Sequence, residues 1–355
     1  MYSDSQLKSL ASTTLVIVAD SVVLDAAAIH LLSKDIDRTE RRHVEELVAA
    51  IRPLLKDIVI YDSPNAFIEA IARHKADLVL PDWSGRDSWN RSGLVPAVCE
   101  SAGIAYIGGD AYTKIVCQDK FLAKSLCTHV GLRTPSAIFV DSPEKLDALD
   151  LCAFPCVVKP CYEGSSIGVD DKSLVNSASE AHTRAMELLN ALKAPVLVET
   201  FQPGREISIC LLGNQSEVAL VEAGERYLPN DEHYFDRNVF SFELKKNSKR
   251  TALRLATADV PPIYFDQARR LFKLLQKVEI LRVDGRLNGK DFTVIELTPD
   301  THLGARAEYA GTFIQAGMTY TEVLAAMILN ARAYRPGQTA NTRTSVDNIQ
   351  NPLEI

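Results

Sequence analysis

The sequence predicts an α/β protein of more than one domain, and three observations support this prediction. The chain has 355 residues, which is too long for one hydrophobic core and suits two or three domains of about 100–150 residues each. Residues 1–112 alternate short apolar strands with helical stretches, the pattern of a parallel sheet covered on both faces. Farther along, a buried strand ends at Lys159 and runs into a loop of glycines and serines, which is typical of a ligand site.

The N-terminal elements follow one another in alternating order. In chain order we predict strand 15–20, helix 35–55, strand 58–61, helix 65–74, strand 77–83, helix 94–103 and strand 104–109. A parallel sheet binds its ligands at the carboxyl ends of its strands. We therefore expect a crevice near Asp20 and near residues 81–87.

The segment that follows, residues 109–135, carries a lysine at an unusual place. Asp119 and Lys120 open a predicted helix that ends at Gly131. A lysine in the first turn opposes the helix dipole, which suggests that Lys120 serves an anionic ligand, although a surface lysine is the commoner explanation. A strand at 137–140 and helices at 142–149 and 177–192 then predict a small strand-and-helix unit.

The stretch around Lys159 combines a cation with a polar loop. Lysine at a strand end is a point charge for phosphate, and the loop after it contains Gly164, Ser165, Ser166 and Gly168. Its backbone N–H groups and hydroxyls can close over polyphosphate oxygens, because glycine permits close approach. The spacings GxxxxGK[ST] and GxGxxG are absent. An ordinary glycine–serine turn beside a solvated lysine is the alternative.

Two pairs of carboxylates add to this pattern. Glu199 and Glu206 flank a turn, as an adenosine site requires, with one acid near the base and one on the ribose; two exposed hairpin acids are the alternative. Asp284 and Glu296 lie on two strands of a predicted hairpin and point the same way. Such a pair suits magnesium that bridges ATP phosphates. Arg282 shares the face of Asp284, where it can hold a phosphoryl group or an oxyanion.

Composition excludes several classes of partner. The net charge of −7 argues against nucleic acid, and no stretch approaches the ~20 apolar residues that span a bilayer. Residues 1–12 lack the pattern of a signal peptide, so we expect a cytoplasmic protein without a membrane partner. The seven cysteines include no CxxC pair and are expected to be reduced thiols, and Cys152, Cys156 and Cys161 are expected to be packing residues.

The order of these parts resembles the ATP-grasp superfamily, and within it the D-alanine:D-alanine ligase family. The similarity covers roughly residues 75–330 and rests on six motifs: DK at 119–120, VKPCYEGSSIGV at 158–169, VETFQPGREISICLLG at 198–213, FELK at 242–245, RVD at 282–284 and IEL at 295–297. The GSSxGV loop with its upstream lysine is the most specific of them.

The resemblance implies a three-domain ATP-grasp fold and a homodimer. Its N-terminal parallel α/β domain would cover residues 1–112, a small central α+β domain 113–197, and a C-terminal α+β domain with the metal site 198–335, followed by a tail at 336–355. ATP would lie between the central and C-terminal domains.

The resemblance also assigns roles to residues. The residues that would bind the nucleotide are Lys120, Lys159, Gly164, Ser165, Ser166, Glu199, Glu206 and Lys245. Lys120 and Lys159 would contact phosphates and adenine, and Lys245 would reach the γ-phosphate. One or two Mg²⁺ ions, for which Mn²⁺ could substitute, would be coordinated by Asp284, Glu296 and Thr298. The catalytic set implied is Arg282, Ser165 and Lys245.

Departures from the family pattern concentrate in the substrate half. The family's GGxSxE turn, whose glutamate binds the first substrate's amino group, is absent after residues 15–20, and the HGxxGEDG loop survives only as a remnant at 81–93. Lys246 replaces a tyrosine, and Thr298 replaces the asparagine of the metal motif. The loop after Thr298 carries Asp300, His302 and Arg306, which would recognise the second substrate. The alternative is a solvated loop without this role.

Three functions remain open on this sequence. The first is a carboxylate:amine ligase that consumes ATP through an acyl phosphate, releases ADP and phosphate, and joins an amino acid to another small substrate. Such an enzyme would serve specialised biosynthesis, for example natural-product ligation or the mycosporine-type condensation of an amino acid with a ring ketone. The second is a D-alanine:D-alanine ligase of cell-wall synthesis with a divergent N-terminal turn. The third is a non-catalytic ATP-binding module, which the joint survival of the basic and acidic residues disfavours.

Overall fold

The computed structural model describes residues 3–23, 30–85, 88–214, 217–275 and 277–332. Within these residues the chain forms three sheets. One is parallel and lies in the N-terminal part, and two are antiparallel. The predicted mixture of a parallel α/β unit with two further strand-and-helix units is confirmed.

The strands and helices have the following bounds. The strands are β1 Thr14–Ala19, β2 Asp57–Tyr61, β3 Leu78–Asp82, β4 Ala105–Tyr106, β5 Ala137–Val140, β6 Cys156–Pro160, β7 Leu174–Val175, β8 Val196–Thr200, β9 Arg205–Gly213, β10 Val218–Tyr227, β11 Ala252–Leu255, β12 Ile280–Asn288 and β13 Asp291–Thr298. The α-helices are α1 Asp4–Lys8, α2 Arg41–Ile51, α3 Pro64–Ala70, α4 Leu94–Ala102, α5 Ala111–Gln118, α6 Lys120–His129, α7 Ala178–Leu192, α8 Phe242–Lys246, α9 Pro262–Leu274, α10 Glu308–Gln315 and α11 Tyr320–Ala331.

The N-terminal sheet has the strand order β2-β1-β3-β4, with all neighbours parallel. Successive residues of β1 serve different cores. Leu15 and Ile17 belong to a cluster that includes α2 and α11, whereas Val16 and Val18 pack with Phe67 on the opposite face. This alternation is the period of a strand covered on both sides, so the continuous apolar run predicted the sheet correctly.

The predicted helix at 35–55 is wrong at its start. Residues Lys34–Asp37 form a 3-10 turn, and the α-helix begins at Arg41. Asp20 explains the difference, because its carboxylate accepts from Arg38 Nε at 2.9 Å and from the Thr39 N–H at 3.4 Å. These bonds hold Arg38 and Thr39 just before α2, where Arg38 and Glu40 are extended, and the helix begins only after them.

Two other helices also differ from prediction. The predicted helix at 65–74 divides into α3 and a 3-10 turn over Ile71–Arg73. The predicted helix at 142–149 is a 3-10 helix over Pro143–Leu151. Helix α6, in contrast, follows the prediction, since Asp119 caps it by accepting from the N–H groups of Phe121 and Leu122.

The central and C-terminal sheets form the walls of one cleft. The central sheet has the order β5-β8-β6-β7 and is covered by α7, which packs its apolar side against β6 and β8. The C-terminal sheet has the order β11-β10-β9-β12-β13, with α5, α6 and α9 on one of its faces. The opposite face of that sheet is shared by the cleft and by α10 and α11.

Helices α10 and α11 join the C-terminal sheet to the N-terminal unit. Tyr309 and Phe313 of α10 share one buried cluster with β1, α2 and Leu212 of β9. Among the described residues no single helix has the length and apolar composition to cross a membrane. Helices α10 and α11 together have that length and composition, but they are bent by 112° relative to each other.

The seven cysteines are free, as predicted, and all but Cys152 are buried. Burial raises the pKa of the Cys156 thiol to about 12 and that of Cys161 to about 11. Neutral, buried thiols are packing residues rather than nucleophiles.

Candidate active site

The cleft between the central and C-terminal sheets encloses about 1040 Å³ up to its open mouth. Most of the predicted site residues line it. These are Lys120, Lys159, Gly164, Ser166, Glu199, Glu206, Lys245, Arg282, Asp284 and Glu296. Ser165 and Thr298 are not among the lining residues, although both lie next to residues that are.

The central sheet contributes a buried lysine and its counter-ion. Lys159 at the end of β6 and Glu199 on the neighbouring β8 form an ion pair, with both side chains less than a tenth exposed. A second lysine, Lys124 on α6, lies 2.7 Å from the other oxygen of Glu199. Burial disfavours the charge on Glu199, but these two ammonium groups outweigh it and lower the pKa of the carboxyl. Glu199 is therefore ionised, and Lys159 is held at the strand end that faces the cleft.

Lys120 connects the central wall to strand β13. It is 6% exposed, its Nζ lies 2.9 Å from Glu296 Oε1, and it also donates to the backbone carbonyl of Glu163. The simple interpretation as a surface lysine is thus wrong, because α6 packs with its N-terminus inside the cleft. The lysine reaches the glycine–serine loop and β13 at once.

One face of the C-terminal sheet forms the opposite wall, in two cross-strand rows. In the first row, Arg226 of β10 pairs with Glu206 of β9, which pairs with Arg286 of β12. In the second, Ser208 of β9 pairs with Asp284 of β12, which pairs with Glu296 of β13. Because alternate residues of a strand share a face, these side chains converge on the cleft.

Asp284 and Glu296 are direct partners on β12 and β13, as the hairpin predicted. Asp284 accepts from Arg282 Nε at 2.7 Å, from Ser208 Oγ at 2.6 Å and from Thr298 Oγ1 at 3.2 Å. Within the described residues no three His, Cys, Asp or Glu side chains come together to hold a metal ion by themselves. Two carboxylates nevertheless fit Mg²⁺, which is commonly held by one or two carboxylates together with substrate phosphates.

The predicted ribose acid, Glu206, is paired inside the wall. Arg286 Nε lies 2.6 Å from its carboxylate, and the same arginine donates to the carbonyls of Phe235 at 2.6 Å and Asn238 at 3.3 Å. Burial raises the pKa of Glu206, although Arg286 opposes the shift. Lys245 lies on α8 nearby, with its Nζ 5.7 Å from the centroid of the Phe240 ring. Arg286 therefore ties the segment that leads to Lys245 onto the sheet.

Several lining residues were missed from the sequence. Arg226 bonds Glu308 at 3.0 Å, and Glu308, in the first turn of α10, also lies 3.6 Å from Arg282. Burial disfavours the charge on Glu308, but Arg226 and Arg282 outweigh it and lower its pKa to about 2. Arg226 lies directly opposite Glu206 on the neighbouring strand, a pairing that no sequence signal indicated. Glu308 belongs to no motif that signals a site.

The glycine–serine loop is held from two sides. Ser165 Oγ donates to Asp37 Oδ1 of the N-terminal unit at 2.8 Å, and Ser166 Oγ donates to the Phe240 carbonyl at 2.9 Å. Both serines have left-handed backbone conformations, with φ of 50° and 58°. The loop thus lies between the N-terminal unit and the segment that carries Lys245.

Near Asp20, where a ligand crevice was expected, the carboxylate is used in hydrogen bonds within the protein. Asp20 is 5% exposed and accepts from the Ser84 N–H at 2.9 Å, so it holds the turn after β3. Residues 86 and 87 of the predicted crevice lie outside the described residues. Of the loop after Thr298, His302 is exposed and its ring centroid lies 4.0 Å from that of the buried His43. Asp300, His302 and Arg306 are not among the lining residues of the cleft, and their role in substrate binding stays a prediction.

Comparison with known proteins gives a family for this architecture. The family model described as "D-ala D-ala ligase C-terminus" matches residues 134–329. A D-alanine–D-alanine ligase from Coprothermobacter proteolyticus is 32% identical over 173 residues, which are 47% of this chain and 55% of that protein. The match thus spans little more than half the length of that relative.

Longer matches are less similar. A putative D-alanine–D-lactate ligase from Streptomyces coelicolor is 27% identical over 255 residues, 70% of either chain. A D-alanine–D-alanine ligase from Pseudothermotoga lettingae is 27% identical over 297 residues, 81% of this chain and 92% of that one. A crystal structure of D-alanine–D-alanine ligase from Bacillus anthracis complexed with ATP covers 91% of this chain and 97% of its own, with a TM-score of 0.65 and 18% identity. That likeness confirms the predicted ATP-grasp fold.

Proposed function

The chain belongs to the D-ala D-ala ligase C-terminus family of ATP-grasp ligases, and from this premise we propose that it joins a carboxylate to an amine at the expense of ATP. One observation carries the proposal. Lysines from the central sheet and α6 face two paired carboxylates of the C-terminal sheet across a single cleft. That is the charge arrangement required by a nucleoside triphosphate with a divalent cation.

The nucleotide has a site of matching polarity along the cleft. Val157, Phe201 and Val239 form a small apolar cluster beside Glu199, which suits a base. Glu206 would accept from the ribose, and Lys120, Lys159 and Lys245 would neutralise the phosphates. The loop at Gly164 and Ser166 would cover them with backbone N–H groups.

The proposed reaction has two steps. A carboxylate oxygen of the first substrate attacks the γ-phosphorus of ATP, the bond from that phosphorus to the β,γ-bridging oxygen breaks, and ADP leaves. The amine nitrogen of the second substrate then attacks the acyl carbon, loses a proton and displaces inorganic phosphate. Both steps depend on alignment and on positive charge near the reacting atoms.

Arg282 is the residue that we place at the reaction centre. Its Nε is held by Asp284 at 2.7 Å and its NH1 donates to Thr301 at 3.1 Å, so the guanidinium is fixed in orientation. It would stabilise the oxyanion of the tetrahedral intermediate. Asp284, Glu296 and Thr298 would hold the magnesium ion, which supplies Lewis-acid neutralisation of the phosphates when it is bound.

The proposal about the substrates rests on the absence of a glutamate that the family uses to bind its first substrate. The glutamate that the family uses for the first substrate's amino group is absent, so two free D-alanines would lose a charge-assisted contact worth about 1.5–3 kcal/mol. We therefore propose an amino acid paired with a different acid, as in mycosporine-type or other natural-product ligation. With a carboxylic acid the steps above give an amide. With a ring ketone, its enolate oxygen would attack the γ-phosphorus, and the amine would add to the carbon that bears this oxygen, lose protons and displace phosphate to give an imine. D-alanine:D-alanine ligation is the alternative.

The remaining expectations belong to the same proposal. We propose the domain limits 1–112, 113–197 and 198–335, although β8 of the central sheet, Val196–Thr200, crosses the second limit. The tail at 336–355 lies outside the described residues. We propose a cytoplasmic homodimer that binds small molecules only.

A panel of candidate acids and amines, scored by phosphate release with ATP and Mg²⁺, tests the function. D-alanine alone should release little phosphate, and one acid paired with one amino acid should give ADP and phosphate in equal amounts. Asp284→Ala serves as the inactive control, and Asp291→Ala, whose exposed carboxylate pairs with Arg133, as the matched active one. A panel that includes D-lactate also covers a hydroxyl acceptor, as the name of the Streptomyces relative indicates.

Two results would decide against parts of the proposal. Efficient formation of D-alanyl-D-alanine at micromolar to low-millimolar D-alanine would overturn the specialised substrate and support the alternative. Nucleotide binding without phosphate release for any pair would favour a non-catalytic module.

A further inference from the structure

The N-terminal unit reaches into the cleft through a segment that no motif marked. Residues 31–38, just before α2, contact the glycine–serine loop over residues 163–168 at several points. The Leu31 carbonyl accepts from the Gly168 N–H at 3.2 Å, and Lys34 Nζ lies 3.8 Å from Glu163. Asp37 makes the closest side-chain contact, with Ser165 Oγ at 2.8 Å.

Asp37 packs directly on the loop backbone as well as on the hydroxyl. A Cβ built on Gly164 would lie 3.0 Å from Asp37 Oδ1 and 3.3 Å from Oδ2. Glycine at 164 is thus what allows the carboxylate to approach. The carboxylate of Asp37 therefore contacts the loop backbone at Gly164 in addition to the Ser165 hydroxyl.

The loop needs such contacts because its backbone is strained. Ser165 and Ser166 both have positive φ, a conformation that is unfavourable for non-glycine residues and persists only where neighbours hold it. The Ser166 hydroxyl is bonded to the Phe240 carbonyl of the C-terminal unit. Asp37 is the corresponding partner of Ser165 on the N-terminal side.

A buried arginine joins the same contact. Arg91 NH2 lies 3.0 Å from Glu163 Oε2 and 3.7 Å from Asp37 Oδ2, and the side chains of Arg91 and Glu163 are 2% and 0% exposed. One guanidinium therefore neutralises the carboxylate of the loop and the carboxylate that holds the loop. Asp37 is placed by a buried partner and is not a freely rotating surface acid.

From these contacts we propose that Asp37 is a positioning residue, which fixes Ser165 and thereby the loop that covers the nucleotide. The inference rests on the proposed function, because it takes the cleft to be the nucleotide site. It makes nucleotide affinity depend on the N-terminal unit, although Asp37 is not itself among the residues that line the cleft.

Calorimetric titration with the non-hydrolysable analogue AMP-PNP and Mg²⁺ tests this with the full chain. Asp37→Ala and Ser165→Ala should each weaken binding about 5- to 30-fold, and the double variant should be no weaker than either single one. Asp37→Asn retains an acceptor oxygen and should stay within about 3-fold of the parent. The matched control is Asp35→Ala, since Asp35 lies on the same 3-10 turn and bonds Arg38.

Hydrogen exchange separates positioning from a general loss of stability. Amides 163–168 should exchange faster in Asp37→Ala, whereas the amides of β12 and the melting temperature should stay as in the parent. Ser165→Ala, which removes one oxygen from a half-buried side chain, keeps the test available if Asp37→Ala fails to fold.

The outcomes distinguish this inference from the proposed function. A parent that binds AMP-PNP with an Asp37→Ala of equal affinity overturns the inference alone, and so do strictly additive effects of Asp37→Ala and Ser165→Ala. A parent that binds no nucleotide overturns the proposed function and this inference with it.

Discussion

Lys120 and Glu296 form an ion pair across the cleft, with 2.9 Å between the ammonium nitrogen and the carboxylate oxygen. The lysine belongs to the first turn of α6 and the glutamate to β13. Burial disfavours the charge on Glu296, but Lys120, with help from Lys159 and Lys245, outweighs it and lowers the pKa of that carboxyl to about 2. In the proposed function the two residues exchange this contact for phosphate and metal when the nucleotide binds.

The first prediction is that Lys120→Ala weakens AMP-PNP binding about 10- to 100-fold, because a hydrogen bond to a charged group contributes about 1.5–3 kcal/mol. Calorimetry measures it. Lys145→Ala is the matched control, since Lys145 is an exposed lysine that pairs with Asp141 far from the cleft. An unchanged affinity in Lys120→Ala would remove this lysine from the nucleotide site.

The second prediction concerns Lys159. Lys159→Ala should lower kcat/KM by roughly 30- to 1000-fold, which corresponds to about 2–4 kcal/mol of transition-state stabilisation. The fold should persist, because Lys124 still neutralises Glu199 at 2.7 Å. Lys124→Ala is the control, as it removes the other partner of Glu199 and leaves the cation at the strand end. Turnover of Lys159→Ala at the parent rate would end the assignment.

The third prediction concerns the proposed magnesium site on β12 and β13. Asp284→Ala should abolish magnesium-dependent turnover, because it removes one of the two carboxylates that face the cleft as partners. Thr298→Asn should be tolerated and should lower the magnesium concentration needed for half-maximal turnover, since an amide oxygen replaces a hydroxyl beside Asp284. Turnover measured against Mg²⁺ concentration checks both. Full activity of Asp284→Ala at ordinary magnesium would mean that the cation is held elsewhere.

Part of the C-terminal sheet, the hairpin of β12 and β13, could be predicted from the sequence because its information is local, whereas β10 and β11 are not among the predicted strands. Alternation of side chains and a turn at Gly289 determine the hairpin of β12 and β13. The direct pairing of Asp284 with Glu296 depends on a β-bulge between Asp284 and Gly285, because the regular register would place Asp284 opposite Ile295. Lys159 and its loop follow from one strand and one turn in the same way.

What the sequence did not indicate depends on contacts between distant segments. Arg226 and Glu308 reach the cleft because β10 and α10 pack beside it, and neither residue lies in a motif. The start of α2 at Arg41 depends on Asp20 at the end of β1. The link from Asp37 to Ser165 joins residues 128 positions apart, a distance at which periodicity carries no information.

The fourth prediction is a loss of stability in acid. Glu296 and Glu308 have pKa values of about 2, below the 4.5 of the free side chain. A lowered folded-state pKa stabilises the protein above the unfolded pKa, and that contribution disappears as pH falls from about 4.5 to 2. The apparent free energy of unfolding should therefore fall across this window. In Lys120→Met the fall should be shallower, because the folded-state pKa of Glu296 then rises toward the unfolded value. Urea unfolding at several pH values measures both slopes, and equal slopes would contradict the assignment of that shift to Lys120.

The last prediction concerns a buried ion pair that anchors the N-terminal sheet. Lys277 and Glu279 are 6% and 1% exposed, with Nζ 2.6 Å from Oε1, and burial lowers the pKa of the lysine and raises that of the glutamate. The same lysine donates to the carbonyl of Gly108 at 2.8 Å, and Glu279 accepts from the Gly108 N–H at 2.6 Å. The pair thus clamps the chain just after β4 to the start of β12.

Removal of one partner leaves a buried charge without compensation, so Lys277→Met should cost about 3–5 kcal/mol of apparent unfolding free energy. The double variant Lys277→Met with Glu279→Leu should be less destabilised than Lys277→Met alone, because neither charge then remains. Lys273→Met, at an exposed position of α9, is the control. Both tryptophans, Trp83 and Trp89, lie in the N-terminal unit, so their fluorescence during urea unfolding reports on the part that this pair anchors. A Lys277→Met protein as stable as the parent would contradict the anchoring role of this pair.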